Sequence, residues 1–548
     1  MKIKIYIIII LIINLTFNFL FAQDTKPINE NKTEKTKEEE QAPIDMPETI
    51  IRVSGANNNI RIVEKKYPKI NQPLTKTDLD SINSIEKKQS LLLPNSELPL
   101  KIVSPSLSNF FVKSSVGMYT AVDAEAAYGF DLGKFDIYTL GNINFQNEHV
   151  KNSDYMKFDL SAYSDYIADK KFFIFGGSKT RSKINLNNLT YSTYGLENPQ
   201  NRNIFEINAN LKTEGNYNGF KFITGLSLNN LTLANDEKSA SDRSIYTFLR
   251  VLNPLKSVDI GLDVDLDIRA YNSNNVNFMN LLGFINYDNK LFSLLLKGGI
   301  QTAGTSYDIV RNGLLIDIKT EFRFSNKYTF KMMFGSGLEK NTFNNLIRAN
   351  PYILMDSKID HSYNKIDFRT YILYHLNKDL GLSAGINYKI SNRLPVITNT
   401  DSTLFNINYL DGSIFTIHLE AYYNFNMNNK LDFDFKINST SQDSTNQEIT
   451  YIPPALFSIH YLSKIAENIN TDIGIEYVGK KFINLQEIKD GENRLEGYFD
   501  VSAKVNYKLY NNLSIFVRLQ NLTNSNIYLW NGYKERGIFI NAGVLWKF

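Results

Sequence analysis

Five histidines are scattered along 548 residues: His149, His361, His375, His418 and His460. No two stand at the spacing that sets two imidazoles on one metal, and no HExxH occurs. They read as scattered side chains, and neither a metal site nor a cofactor is assigned. No GxSxG elbow and no Gly-Lys-Ser/Thr phosphate loop is present. Ser413 and His418 are near neighbours, but an odd spacing along a strand puts them on opposite faces, so no nucleophile–base pair follows. With no cysteine there is no disulfide and no thiolate ligand or nucleophile. No catalytic residue is assigned, and an enzyme is not expected. The one unusual cluster is acidic: Asp259, Asp263, Asp265 and Asp267. It has two readings. It is a negative wall that favours cations or basic ligands, or it is an internal charge ladder paired with Arg250 just before it and Lys297 further on.

These aspartates sit on an element that can be read directly. Between Val258 and Ala270, the residues Val258, Ile260, Leu262, Val264, Leu266, Ile268 and Ala270 alternate with the aspartates and Arg269. Period two over this length is a strand with one apolar face. The pattern returns at Leu431, Phe433, Phe435 and Ile437, and again at Phe499, Val501, Ala503, Val505 and Tyr507. The last stretch, Gly537 to Phe548, places Ile538, Ile540, Val544, Trp546 and Phe548 on one face and ends on an aromatic. A soluble sandwich would point such faces inward; a transmembrane barrel points them at lipid, with the charges in the lumen.

Strand and connection lengths separate the two. The strands read as roughly 10–14 residues, long for a sandwich and suited to tilted membrane strands. Tight turns near Gly133, Asp169, Tyr217, Pro254, Asp288, Asn326, Lys378, Asn428, Glu467 and Asn511 alternate with mostly longer connections near 148–154, 183–203, 233–243, 271–276, 302–311, 339–362, 392–411, 442–453, 482–493 and 524–535. A short hairpin at Tyr119-Thr120 falls on the long-loop side. Short turns at one end and long loops at the other predict an all-β, antiparallel transmembrane barrel of about 22 strands, within 20–24, over residues 109–548. The composition agrees: 36 Phe and 32 Tyr against 2 Trp suit aromatic girdles at two interfaces. A net charge of +3 without a long basic run in the body of the chain gives no reason to expect nucleic acid.

The N-terminal part has a different texture. Residues 1–22 have a positive start at Lys2 and Lys4, an apolar run from Ile5 to Ile13, and Ala22 before Gln23, as in a secretory signal peptide. No later run is long and apolar enough for a transmembrane helix. Residues 23–48, which include KTEKTKEEE, cannot bury a core and are expected to be a disordered charged linker. Residues 49–108 form a periplasmic or lumenal extension, with a short Ile/Val strand and a helix pattern over 77–92.

The barrel end resembles that of TonB-dependent receptors. Asn521-Leu522-Thr523-Asn524 is similar to the family's N-L-x-N turn after the penultimate strand. Tyr528, Trp530-Asn531-Gly532-Tyr533 and Gly537 are similar to its W-x-G-Y…G lead into the closing strand. Ala349-Asn350-Pro351-Tyr352 fits barrel-only relatives of Bacteroidetes-like bacteria. Glu48, Thr49, Ile50, Ile51, Arg52 and Val53 resemble the energy-coupling box that adds a strand to a TonB-like periplasmic protein. The resemblance implies an outer-membrane location, with the extension in the periplasm. It implies outer-membrane lipid and the barrel-insertion machinery as partners, and transport of a bulky solute as the function. The departure is at the N-terminus. The family's plug exceeds a hundred residues, and Ile51-Arg52-Val53-Ser54-Gly55 is the nearest echo of its signature, so a reduced or absent plug is expected. The alternative function is a non-transporting barrel that anchors a periplasmic or surface partner through this extension.

Overall fold

A computed structural model describes residues 110–255, 258–399, 404–483 and 493–548. The signal peptide, the charged linker, the coupling-box-like segment and the helix pattern at 77–92 lie outside the described residues.

Twenty-two antiparallel strands close into one barrel. In chain order they are β1 (Phe111–Gly117), β2 (Val122–Asp131), β3 (Phe135–Gln146), β4 (Tyr155–Ile167), β5 (Lys179–Ser192), β6 (Asn201–Tyr217), β7 (Phe220–Ala234) and β8 (Ser239–Leu255). Next come β9 (Val258–Tyr271), β10 (Phe278–Asp288), β11 (Phe292–Gly304), β12 (Val310–Arg323), β13 (Tyr328–Glu339), β14 (Ser362–His375), β15 (Leu380–Asn399) and β16 (Phe405–Asn426). The rest are β17 (Asn429–Gln442), β18 (Ala455–Ala466), β19 (Ile469–Val478), β20 (Tyr498–Tyr510), β21 (Leu513–Gln520) and β22 (Phe539–Lys547). Each strand pairs with its sequence neighbours, and β22 returns to β1 in a continuous register from Phe111↔Lys547 to Gly117↔Asn541. The Phe548 amide then donates to the Phe110 carbonyl at 2.9 Å. Closure leaves no open sheet edge, which is the condition for strands to cross hydrocarbon.

The polarity is inside out. Ile260, Leu262 and Ile268 on β9 are 46, 41 and 51 % exposed, while Asp263 and Asp267 between them are 5 and 1 % exposed. Ile538, Ile540, Val544, Trp546 and Phe548 also face outward, on or beside β22. Exposed aliphatic and aromatic side chains recur on the outer face of strand after strand, forming the belt that a bilayer covers.

Several connections differ from the sequence reading. The turn near Asp169 is a longer excursion containing a 3₁₀ turn at Phe173–Phe175. The loops read near 183–203 and 392–411 are much shorter. β5 runs on to Ser192, and β15 and β16 reach 20 and 22 residues. There the hairpins continue past the membrane belt. Repeated Asn, with Pro395 and Gly412, interrupts the apolar alternation in them and looks like a loop, although the ladder persists.

The hydrophobic core does not lie along the barrel axis. It sits in the long-loop mouth, where Phe343, Leu346, Ile347, Tyr352, Ile353, Ile359, Phe405, Tyr451, Trp530 and Tyr533 bury one another against Tyr191, Leu231, Leu233 and Tyr271 of the strand ends.

If the outer belt lies in lipid, Leu262→Arg should cost about 2–4 kcal/mol. The measurement is urea titration of the barrel folded in lipid vesicles. An unchanged midpoint would mean that this face is not in the bilayer.

Candidate functional site: a capped lumen

Two irregularities at one level turn the β13–β14 hairpin into the lumen. β13 pairs with β12 only up to Ser336, and its pairing with β14 shifts register between Gly335 and Gly337. β14 is also out of register with β15 between Asn364 and Ile366. Bulges bend a strand and increase its twist. Gly337 has φ +148°, and a Cβ there would meet Gln301 Oε1 at 2.6 Å, so the close approach requires glycine. Gln301, on the inner face of β11, takes over from the missing strand partner. Its side chain accepts from the Leu338 amide at 2.6 Å and donates to the Leu338 carbonyl at 3.0 Å. Leu338 then packs on Phe278 and Ala303 inside the wall.

The segment that follows, residues 340–361, crosses the mouth. It contains α1 (Phe343–Ala349), capped by Thr342, whose Oγ1 accepts from the Asn345 amide at 3.1 Å. Phe343, Leu346 and Ile347, at helical spacing, enter the mouth core. Polar contacts fix the segment to distant strands. The Asn344 amide donates to Asp242 and its side chain to Glu206, both at 2.9 Å. Arg348 pairs with Glu206. Arg202 donates to the carbonyls of Pro351 and Ile353 at 3.2 and 2.8 Å, and Tyr191 donates to Pro351. The Tyr271 hydroxyl lies 2.9 Å from both the Met355 and the Ser357 carbonyl oxygens, which share its one O–H. On the exit side Arg311 holds Asp360 at 2.8 and 3.3 Å.

The resemblance motifs meet in this cap. Tyr352 stacks on Tyr533 with ring centroids 3.4 Å apart, and Phe405 lies edge-on to Trp530 at 5.4 Å. Gly532, at φ +84°, makes the tight turn between the short strands Tyr528–Trp530 and Tyr533–Lys534. Asn521 and Asn524 both take positive φ, and the Asn521 side chain donates to the carbonyls of Ser525 and Arg536 at 2.9 Å. The N-L-x-N and W-x-G-Y signatures are thus the turn and the plate that support the cap from the last loop. Burial pushes the phenols of Tyr194, Tyr352 and Tyr451 well up from their ordinary value, so they stay neutral.

Below the cap, against β6–β9, lies a polar cavity of about 410 Å³. Amides and hydroxyls line it, among them Asn208, Asn229, Ser244 and Asn344, with Lys340 and Arg348 from the cap. Such a wall can hold an oxygen-rich solute by hydrogen bonds and small charges; it presents no activated nucleophile. Ser153 and His149 do touch, at 2.9 Å. Ser153 Oγ, however, accepts from the amides of His149 and Val150 and lies 2.7 Å from the Val150 carbonyl, so the contact caps a turn. Ser413 and His418 point to opposite sides of β16.

The acidic row lies on the lumen wall. Asp263 accepts from Arg250 at 2.5 and 2.7 Å and from Lys297 at 3.1 Å. Asp267 meets Arg269 at 3.1 Å and Lys340 at 3.0 Å, which joins the row to the cap. Asp265 accepts from Tyr246 at 2.8 Å and from Asn280 at 3.3 Å, and Asp259 from Asn286 at 3.4 Å. Sequence reasoning missed α1, the inward path of 340–361, and one cluster of histidine and carboxylates on β16 and β17. The helical spacing of Phe343, Leu346 and Ile347 behind Thr342 was a signal for the helix. Nothing local signals where the segment goes.

No known family profile and no curated protein matches the chain in sequence. Solved structures match in fold. The copper transporter OprC superimposes with a TM-score of 0.65 at 10% identity, over 82% of this chain and 83% of that one. The FrpB iron transporter from Neisseria meningitidis gives 0.63 at 11% identity, over 81% and 82%. The siderophore receptor PirA from Acinetobacter baumannii gives 0.63 at 10% identity, over 82% and 81%. At these identities the likeness shows a shared barrel fold.

Two measurements test this geometry. Asp263→Ala leaves Arg250 and Lys297 facing each other in a largely buried site, and should cost about 3 kcal/mol of barrel stability; an unchanged urea midpoint would show the ladder contributes nothing. The second concerns His361, which is fully buried where the cap rejoins β14. Burial, against the opposing pull of Asp360, lowers its imidazole to about 4. An unfolded histidine titrates near 6.5, so the closed cap binds fewer protons than the open one. Cap stability is therefore full above about pH 6.5 and declines as pH falls through about 4, by on the order of 3 kcal/mol. Hydrogen-exchange protection over 340–361, taken relative to the intrinsic exchange rate at each pH, should fall on acidification in the wild type and fall less steeply in His361→Gln.

Proposed function

We propose that this chain is an outer-membrane transporter barrel of the TonB-dependent-receptor type, which admits a bulky solute through its lumen. The 340–361 segment serves as the gate of the long-loop mouth, which faces outward. The observation that carries this reading is the cap itself, seated above a wide polar lumen. Its aromatic plate and buried polar ties hold shut a passage that a plain membrane anchor would not need. The fold likeness to proteins described as transporters and receptors of copper, iron and siderophores supports it. So do the barrel-end motifs, which sit at the base of the cap. In this reading Glu48–Val53 is the strand offered to a TonB-like partner in the periplasm, and residues 49–108 take over the role of a reduced plug. The acidic row acts chiefly as an internal ladder, since Asp263 and Asp267 are already paired with cations of the wall and the cap.

Planar-bilayer conductance tests the proposal. The full-length protein should be closed. Replacing 342–359 by a short Gly/Ser linker together with removal of 23–108 should give large, steady openings. In cells, solute uptake should be lost when Ile50 and Ile51 are changed to Pro. A barrel that stays closed in every variant would instead favour the anchoring role, with the extension as the recruiting arm.

A further inference from the structure

Away from the cap, toward the short-turn end of the lumen, β16 and β17 bring three metal-ligating side chains together. His418 and Glu420 stand two apart on β16 and so share its inner face. The register sets Glu420 opposite Asp434 and His418 opposite Lys436 on β17. His418 Nε2 lies 2.7 Å from Asp434 Oδ2 and 3.2 Å from Glu420 Oε1. One ligand atom from each of the three falls within 4.8 Å of the others.

Hydrogen bonding alone leaves this group incompletely satisfied. A single Nε2–H is directed well at one acceptor, and here two carboxylate oxygens compete for it. The other oxygen of Glu420 is shut off from water and has no hydrogen-bond partner. A carboxylate oxygen left in that state carries a desolvation penalty. Two carboxylates at this separation also repel, and Lys436, 3.2 Å from Asp434 Oδ1, offsets only part of that. A dication between the three groups would bond the imidazole nitrogen and both carboxylates at once. Metal–nitrogen and metal–oxygen bonds of about 2.0–2.2 Å need donors about 3–3.5 Å apart, which small side-chain rotations provide here. One imidazole with two carboxylates is a borderline-to-hard donor set, suited to first-row divalent ions more than to Cu(I) or Ca²⁺.

We propose that His418, Glu420 and Asp434 form a lumen-wall site for a divalent first-row transition-metal ion, with its remaining coordination positions open to the lumen. The site stands independently of the transport reading, because it rests on the geometry of two adjacent strands. A second histidine is nearby and must be separated from it. His460 on β18 faces Asp472 on β19 with Nδ1 and Oδ1 3.7 Å apart, a looser pair with one carboxylate.

The test uses the full-length protein in detergent micelles, titrated with Co²⁺ and followed by visible absorption, then displaced by Zn²⁺. Retained heat-modifiable mobility on gels shows that each variant is folded. One Co²⁺ per chain is expected, with affinity weakened at least about tenfold in His418→Ala and in Glu420→Gln. Lys436→Met removes the competing ammonium and should tighten binding, a change in the direction that misfolding cannot produce. His460→Ala should leave the titration unchanged. The proposal is overturned if His418→Ala binds Co²⁺ as the wild type does, if binding disappears only in His460→Ala, or if the wild type takes up no Co²⁺ at micromolar concentration.

Discussion

A peptide N–H or C=O that faces hydrocarbon without a partner costs several kcal/mol, and this barrel is organised around that cost. Every strand must find two neighbours, so the last has to return to the first. The return is made by a short β1, whose seven residues match Asn541–Lys547 one for one. Gly543 sits at the tightest point of the seam, where a Cβ would meet the Ser114 carbonyl at 2.2 Å. The aromatic end of the chain finishes the closure, with Phe548 packed on Phe110 and Trp546.

Closing the sheet this way gives the outer face to lipid and leaves the interior to polar side chains. The usual site of a hydrophobic core is then unavailable, and the core moves to the mouth. Charges inside are kept by pairing: Asp263 with Arg250 and Lys297, Lys389 with Glu339 at 3.2 Å. The cap uses both resources. Its apolar side joins the relocated core, and its polar backbone is tied to wall residues such as Arg202, Glu206 and Asp242.

The barrel was legible in the sequence because alternation is a local property. Val258–Ala270 shows its two faces without any neighbour, and the Asn/Asp/Gly turns mark where the chain reverses. The strand count followed from the turns. What stayed hidden was non-local. The upper ends of β15 and β16 look like loop because Pro395, Gly412 and repeated Asn interrupt the pattern, and only pairing makes them strands. Ala349-Asn350-Pro351-Tyr352 could be singled out as a motif, but that its Tyr meets Tyr533 depends on a bend made by Gly337 and Gln301. His418 and Glu420 share a face by their spacing; Asp434 joins them only through register. Scanning for histidine pairs alone could not find a site with one histidine.

The cap also fixes an order of events. Tyr191 reaches Pro351, 160 positions further along the chain, and Tyr352 meets Tyr533 from the last loop of the chain. Contacts this distant in sequence form late, after the entropy of closing the loops between them has been met. The aromatic plate of the mouth is therefore completed only when the last loop has arrived. A completed plate is in effect the molecule's own certificate that its last loop is in place.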